Sequence, residues 1–275
     1  MGTLAEFVRL VLKEDIGRGD LFARCKAPKN AKAIVKSKCE GIFGGELYAK
    51  ALAKETGIKL TFFVKDGETI ASGQTLIELE GDDTMLLQVE RTLLNLLQHI
   101  SGIATQTRRY ADRLRGSDIA LLDARKTRPL LRELEKYATR VGGAINHRFG
   151  LDDCLMIKDT HLAAIDDLKA FVIDARKNIP WTATIDVECE SLESAKAAFE
   201  AKADIVMCDN MDVESIKEVV KLRDKTSSST KIEVSGNVTL ENIDRYKLAG
   251  IDAISTGSLT HHAVWLDFSM KLKRA

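Results

Sequence analysis

The hydrophobic pattern of this chain changes character near Gly116. Ahead of it, short alternating runs bounded by glycine predict a small α+β region. A half-exposed strand is expected over 33–38, and a helix over 46–56 with Leu47, Ala51 and Leu52 on its buried face. Strands near 60–64 and 75–79 flank the turns Asp66-Gly67 and Ser72-Gly73. The first fifteen residues mix Glu6, Arg9, Lys13 and Glu14 with apolar positions, which predicts a short amphipathic helix and no signal peptide. From Asp83 to about Gly116, Leu86, Val89, Leu93, Leu97 and Ile100 recur at the helical period, with a break or bend expected at Ser101-Gly102. Arg91 and Asn95 lie one turn apart on that helix, where Arg91 reads from the pattern alone as a solvated charge.

Beyond Gly116, apolar runs of strand length recur at 119–124, 154–157, 183–189, 205–208, 231–234 and 253–256. Helix-length segments separate them, at 129–141 (closed by Gly142-Gly143), 192–202, 213–223 and 240–249. Near-continuous apolar strands alternating with helices predict a parallel sheet covered by helices, and this number of units favours a barrel over an open sheet. The expected fold class is therefore α/β.

Chemistry in a parallel barrel gathers at the C-terminal ends of the strands. Those ends carry Asp123, Arg125 and Lys126; Lys158, Asp159 and His161; Glu188; Asp209-Asn210; Ser235-Gly236-Asn237; and Thr256-Gly257-Ser258. Asn146-His147-Arg148 adds further polar groups nearby in sequence. Each has a bland reading as a cap or turn, but all of them at equivalent places point to one shared site. Desolvating an unpaired cation costs several kcal/mol, so cations that end apolar runs imply a visiting anion. Arginine forks match carboxylates, Gly/Ser turns expose N–H groups to phosphate, and a carboxylate pair suits ribose hydroxyls or Mg²⁺.

Composition narrows the alternatives. The 41 basic and 41 acidic side chains balance, which weighs against a nucleic-acid binder. No apolar run reaches the ~18 residues of a membrane span. The five cysteines, with no Cys-x-x-Cys, read as reduced thiols in a cytoplasm; Cys154, Cys189 and Cys208 read as core fillers. There is no Walker loop, no strand-linked Gly-x-Gly-x-x-Gly, no His-Glu-x-x-His and no Gly-x-Ser-x-Gly.

Glu90-Arg-Thr-Leu-Leu-Asn95, Ser101-Gly-Ile-Ala-Thr105, Asp123-Ala-Arg-Lys-Thr127, Asn146-His-Arg148, Ile157-Lys-Asp-Thr-His161, Val187-Glu188, Cys208-Asp-Asn210, Ser235-Gly-Asn237 and Thr256-Gly-Ser-Leu-Thr-His261 occur in that order along nearly the whole chain. Together they resemble the quinolinate phosphoribosyltransferases, also called carboxylating nicotinate-nucleotide pyrophosphorylases. The resemblance implies conversion of quinolinate and phosphoribosyl pyrophosphate to nicotinate mononucleotide, pyrophosphate and CO2 in NAD biosynthesis. It implies an N-terminal α/β sandwich domain, here 1–104, and an incomplete α/β barrel, here 105–275. It also implies a cytoplasmic homodimer, or a multiple of dimers, with shared sites and no nucleic-acid or membrane partner.

Carried over by motif, Arg91 from the partner subunit, Ala124, Arg125, Lys126, His147, Arg148 and Lys158 surround quinolinate. Lys126, Lys158, Glu188, Asp209, Ser235, Gly236, Asn237, Thr256, Gly257, Ser258 and His261 meet phosphoribosyl pyrophosphate. Lys126, Lys158, Glu188 and Asp209 are the catalytic set, and Glu188 and Asp209 hold Mg²⁺ directly or indirectly. His99 and His262 are read as structural. Ala124 stands where the family usually has threonine, which removes a hydroxyl from the substrate pocket, and Thr256 and Ser258 also depart from the commoner choices. The alternatives are a paralogue acting on another acidic substrate, such as a molybdenum-utilisation homologue, and a non-catalytic anion-binding relative.

Overall fold

Strand β1 (Asn30–Ser37) buries Ala33, Val35 and Ser37 while Lys32 and Lys36 face solvent, the period-two pattern of a half-covered sheet. The computed structural model to which it belongs describes residues 3–226 and 229–273. The first two residues of the expected N-terminal helix lie outside them. The described chain forms two units, residues 1–108, 140–142 and 263–275 in one and 109–139 and 143–262 in the other.

In the first unit, α1 (Leu4–Ile16) starts at a Thr3–Glu6 capping box and packs on α2 (Glu46–Thr56), where Phe7 meets Tyr48 edge to face. The buried face of α2 is Tyr48, Ala49 and Leu52, and Leu47 is largely exposed. The expected stripe through Leu47 and Ala51 is thus rotated by one residue, because the Tyr48 ring has more apolar surface to bury. Strands β2 (Lys59–Phe62) and β3 (Thr75–Asp82) precede α3 (Asp83–Leu114), and Leu86, Val89, Leu93, Leu97 and Ile100 of α3 are all fully buried.

Helix α3 runs on through Ser101-Gly102, where the sequence suggested a break. Gly102 serves packing: a Cβ there would lie 2.3 Å from the Val264 carbonyl oxygen, so only glycine admits that segment against the helix.

The second unit holds β4 (Ala120–Leu122), α4 (Arg132–Gly142, whose last residues belong to the first unit), β5 (Leu155–Ile157) and α5 (Leu168–Asn178). It continues with β6 (Ile185–Cys189), α6 (Leu192–Glu200), β7 (Ile205–Asp209), α7 (Val213–Thr226), β8 (Lys231–Ser235) and β9 (Ala253–Ser255). The strands are all parallel, in the order β4-β9-β8-β7-β6-β5. Among the described residues the two edge strands do not pair with each other; β4 makes one further bridge, Leu122 to Ile145. This is the incomplete parallel α/β barrel expected.

Alternate strand residues divide the two faces. Ile185, Val187, Cys189, Val206, Cys208, Ile232, Val234 and Ile254 join one apolar cluster with helix residues such as Val172, Phe199, Ile216 and Val219. Each such aliphatic side chain contributes roughly 1.5–3 kcal/mol by leaving water. The intervening residues, Asp186, Glu188, Met207, Asp209, Glu233, Ser235 and Ser255, lie outside that cluster, on the inner face.

Four differences from the sequence reading have local causes. Helix α4 begins at Arg132 and not near Pro129, because Leu130 takes a φ of 65°, which an α-helix cannot contain. Helix α5 was not predicted, since its buried stripe is only Val172 and Ala175. The expected helix over 240–249 is a 3-10 segment, Ile243–Leu248. The last strand, β10 (Phe268–Lys273), was not predicted; it pairs antiparallel with β1 and lies in the first unit. The antiparallel sheet then reads β10-β1-β3-β2. No described helix is long and apolar enough to cross a membrane.

Candidate active site

The inner-face residues of the second unit and the loops that follow its strands enclose a cavity of about 450 Å³. Its wall includes Asp123, Ala124, Arg125, Lys126, His147, Arg148 and Lys158 on one hand, and Glu188, Asp209, Ser235, Gly236, Asn237 and Gly257 on the other, with Met156 and Met207 between. A cavity of similar size in the first unit, about 440 Å³, has Asp15, Asp20, Phe22 and Gln88 on its wall but no cation. The cationic cavity is the one that matches the chemistry read from the strand ends.

Asp123 anchors the cationic half. Its fully buried carboxylate accepts from the Lys136 ammonium, from Thr139 Oγ1 at 2.9 Å, from Asn146 Nδ2 at 2.6 Å and from the His147 backbone N–H at 2.9 Å. The Lys136 ammonium also donates to the His147 carbonyl at 2.8 Å and lies over the Phe149 ring. This network ties the end of β4 to the 146–149 segment, so the Arg125-Lys126 and His147-Arg148 pairs share one frame.

Arg148 is buried. Its guanidinium donates to the Cys154 carbonyl at 3.0 Å and contacts Met156 Sδ at 3.3 Å. Burial, together with the charges of Arg148 and Arg132, pulls Arg125 below its ordinary pKa. Among the described residues no carboxylate pairs with Arg125, Lys126 or Arg148, whereas Lys158 forms an ion pair with Glu188. Three cations in one cavity with no carboxylate paired to them among the described residues make a site for a polyanionic ligand.

Opposite them, Asp209 accepts from its neighbour Asn210 at 2.8 Å, and Asn210 accepts from Asn237 Nδ2 at 2.8 Å. Asn210 and Asn237 take positive φ angles of 55° and 49°, and Gly236 one of 82°. A Cβ on Gly236 would stand 2.4 Å from Asn210 Oδ1 and 2.8 Å from its backbone nitrogen, so this turn demands glycine. The second expected cradle is narrower. Gly257 reaches the cavity, while Thr256 and Ser258 are buried in the wall; the Thr256 N–H is spent on the Leu122 carbonyl and the Ser258 N–H on Thr256 Oγ1. His261 is exposed and outside the cavity lining, and burial together with His262 and Lys126 lowers its pKa. Arg91 stands exposed on α3 in the first unit.

His147 lines the cavity, but both its ring nitrogens are turned to protein groups. Nδ1 accepts the Arg148 backbone N–H at 2.7 Å; Nε2 lies 3.2 Å from Glu233 Oε2 and 3.7 Å from Asp186 Oδ2. Burial and the charge of Glu233 push Asp186 up to about 8. Burial lowers the affinity of His147 for a second proton, but Glu233 and Asp186 outweigh it and raise its pKa. Asp186, Glu233 and the fully buried Lys136 are site residues that sequence reading passed over. The signal was present, since Asp186 and Glu188, like Glu233 and Ser235, are two apart on a strand and share its face.

The family model for quinolinate phosphoribosyl transferase matches the chain in both its parts, the N-terminal domain over residues 20–101 and the C-terminal domain over 103–271. A probable nicotinate-nucleotide pyrophosphorylase [carboxylating] of Methanocaldococcus jannaschii is 40% identical over 271 residues, covering 96% of this chain and 95% of that protein. Its Bacillus subtilis counterpart, of the same name, is 41% identical over 261 residues, covering 94% and 89%. Among solved structures, NadC from Streptococcus pyogenes superposes with a TM-score of 0.92 at 37% identity, covering 98% of this chain and 96% of that one. A two-part, full-length match of this kind, on a chain whose cations and carboxylates meet in one barrel cavity, shows that the chain belongs to the quinolinate phosphoribosyltransferase family.

Proposed function

We propose that this chain transfers the phosphoribosyl group of phosphoribosyl pyrophosphate to quinolinate with loss of CO2, giving nicotinate mononucleotide and pyrophosphate for NAD biosynthesis. The observation that carries the reading is the set of Arg125, Lys126 and Arg148 around one cavity with no carboxylate paired to them among the described residues. A pyridine dicarboxylate is a rigid ligand with two anionic forks, and it answers that demand. Lys126 and Lys158 reach both substrates, and Ala124 leaves room beside the quinolinate ring. His147 contributes here by its contact with the Arg148 backbone.

On the opposite wall, Ser235, Gly236, Asn237 and Gly257 meet the phosphates, with Thr256 and Ser258 buried on either side of Gly257 and His261 beside it. As pyrophosphate leaves, positive charge grows on the ribosyl C1 and ring oxygen, and the fixed carboxylates of Glu188 and Asp209 stabilise it without reorganising. The same two residues offer the hard oxygen donors that Mg²⁺ prefers, and the Asp209 carboxylate is engaged by the neutral Asn210 amide. Magnesium bound there would neutralise the pyrophosphate charge. Once ribosylated, the pyridine nitrogen is cationic and stabilises the electron pair that the breaking C–CO2 bond leaves on the adjacent ring carbon; CO2 departs and that carbon takes a proton from solvent. Arg125 and Arg148 need only hold that geometry, and no protein nucleophile is required.

The working form in this reading is a cytoplasmic homodimer in which Arg91 of one subunit completes the site of the other, with no nucleic-acid or membrane partner. Purified protein with quinolinate, phosphoribosyl pyrophosphate and Mg²⁺ is expected to form nicotinate mononucleotide; none at high enzyme concentration overturns the proposal. Mixing Arg91→Ala with Arg148→Ala protein is expected to restore part of the activity that each lacks. No recovery after verified subunit exchange would refute the shared site.

A further inference from the structure

Behind the cavity wall sits a group of polar atoms that the proposed reaction does not use. Asp186 has no exposed surface and Glu233 almost none. Both Asp186 oxygens and Glu233 Oε1 are buried without a hydrogen-bond partner among the described residues, and His147 Nε2 makes no well-formed hydrogen bond, the nearer of its two carboxylate neighbours being Glu233 Oε2 at 3.2 Å. Buried polar atoms left in this state are costly, so their retention calls for a role. One histidine and two carboxylates with donor atoms within 4.8 Å of one another could be read as ligands for a transition metal.

The other ring nitrogen decides against the metal. A histidine that binds a metal through Nε2 carries its proton on Nδ1 and donates it outward. Here Nδ1 is an acceptor, 2.7 Å from the Arg148 backbone nitrogen, and two N–H groups cannot face each other at that distance. The same constraint opposes a second proton on the ring, although the two carboxylates favour one. A neutral imidazole with its single proton on Nε2, facing the Glu233 carboxylate, satisfies both sides.

We propose that Glu233, backed by Asp186, is a positioning residue for substrate binding: it holds His147 as the Nε2–H tautomer, which keeps Nδ1 free to fix the backbone of Arg148 and so aim its guanidinium into the cavity. Every link is short. Glu233 Oε2 is 3.2 Å from Nε2, Nδ1 is 2.7 Å from the Arg148 nitrogen, and the guanidinium is then secured on the Cys154 carbonyl at 3.0 Å. A glutamine at 233 keeps an acceptor oxygen for Nε2–H, while a leucine of similar bulk does not. That difference separates positioning from mere filling of space.

The inference rests on the proposed function only for its kinetic readout. Glu233→Leu is expected to raise KM for quinolinate about tenfold or more, the effect of one misplaced charge-assisted hydrogen bond, with KM for phosphoribosyl pyrophosphate and kcat little changed. Glu233→Gln is expected to stay within about threefold of wild type, a fraction of one such hydrogen bond. Asp186→Asn is expected to fall between them. A uniform loss in all three variants, or equal change in both KM values, would overturn the positioning role.

Independently of turnover, ¹⁵N spectra of histidine-labelled wild type, with His147 assigned by His147→Gln, are expected to show protonated Nε2 and unprotonated Nδ1. The reverse tautomer overturns the proposal, as does a stoichiometric transition metal in wild-type protein that Glu233→Gln releases. If wild type lacks turnover, the proposed function fails while the tautomer measurement still decides this inference.

Discussion

Replacing Lys136 by methionine probes the frame that carries the cationic wall. Lys136 and Asp123 are both fully buried and form an ion pair. Methionine keeps most of the side-chain volume, so a cavity adds little to the effect. What remains is a buried carboxylate with three neutral donors, Thr139 Oγ1, Asn146 Nδ2 and the His147 N–H, in place of three donors and an ammonium. Breaking a buried pair from one side costs about 3–5 kcal/mol. The three surviving hydrogen bonds argue for the lower half of that range. At roughly 2–4 °C per kcal/mol for a unit of this size, the midpoint of thermal unfolding should fall by about 6–16 °C.

The double variant Asp123→Asn/Lys136→Met removes both charges and keeps an oxygen for the same donors, so it should recover most of the loss. Urea unfolding followed by far-ultraviolet circular dichroism measures both. A single variant within about 1 kcal/mol of wild type would refute the reasoning, since buried pairs that matter cost more. So would a double variant as unstable as the sum of its parts.

Burial and the charge of Glu233 raise Asp186 from the ordinary 3.8 to about 8, so the folded state holds the extra proton between those values. Its contribution to stability is present below the lower value and is lost as pH rises through the upper one; urea midpoints at pH 5, 7 and 9 should fall less steeply in Asp186→Asn, and equal slopes would count against the shift. Gly236→Ala places a Cβ 2.4 Å from Asn210 Oδ1 at a φ of 82°, and is expected to raise KM for phosphoribosyl pyrophosphate by about tenfold or more while circular dichroism stays native; unchanged KM would show that the turn does not meet phosphate. Cys189 and Cys208 are buried and their thiols are pushed up to about 12, so in the native protein a disulfide-exchange reagent at pH 8 should modify exposed Cys25 and spare both; rapid labelling of either would contradict the packing.

The alternation of apolar strands and helices was legible because each strand must bury its outer face under a helix, and period-two runs such as Ile185, Val187 and Cys189 record that demand directly. The strand ends were legible for the same reason: Arg125, Lys158, Glu188 and Asp209 break apolar runs where nothing in the core would call for them. Helix α5 escaped because two buried residues are too thin a stripe to read, and β10 escaped because its partner, β1, lies more than two hundred residues away in sequence.

The sequence by itself determined the fold class, the family and the residue types that meet in the cavity, because local periodicity and strand-end chemistry are written in neighbouring positions. Only the tertiary structure decided which of those residues stand unpaired. Lys158 and Glu188 are thirty positions apart yet form an ion pair, and Asp123 gathers donors from Lys136, Thr139, Asn146 and His147. Among the described residues, Arg125, Lys126 and Arg148 are left without a paired carboxylate. Pairing depends on distances across strands, and no spacing along the chain encodes it. The same holds for His147: its residue type promised a nitrogen for the substrate, and the fold turned both nitrogens inward, one to Arg148 and one toward Glu233 and Asp186.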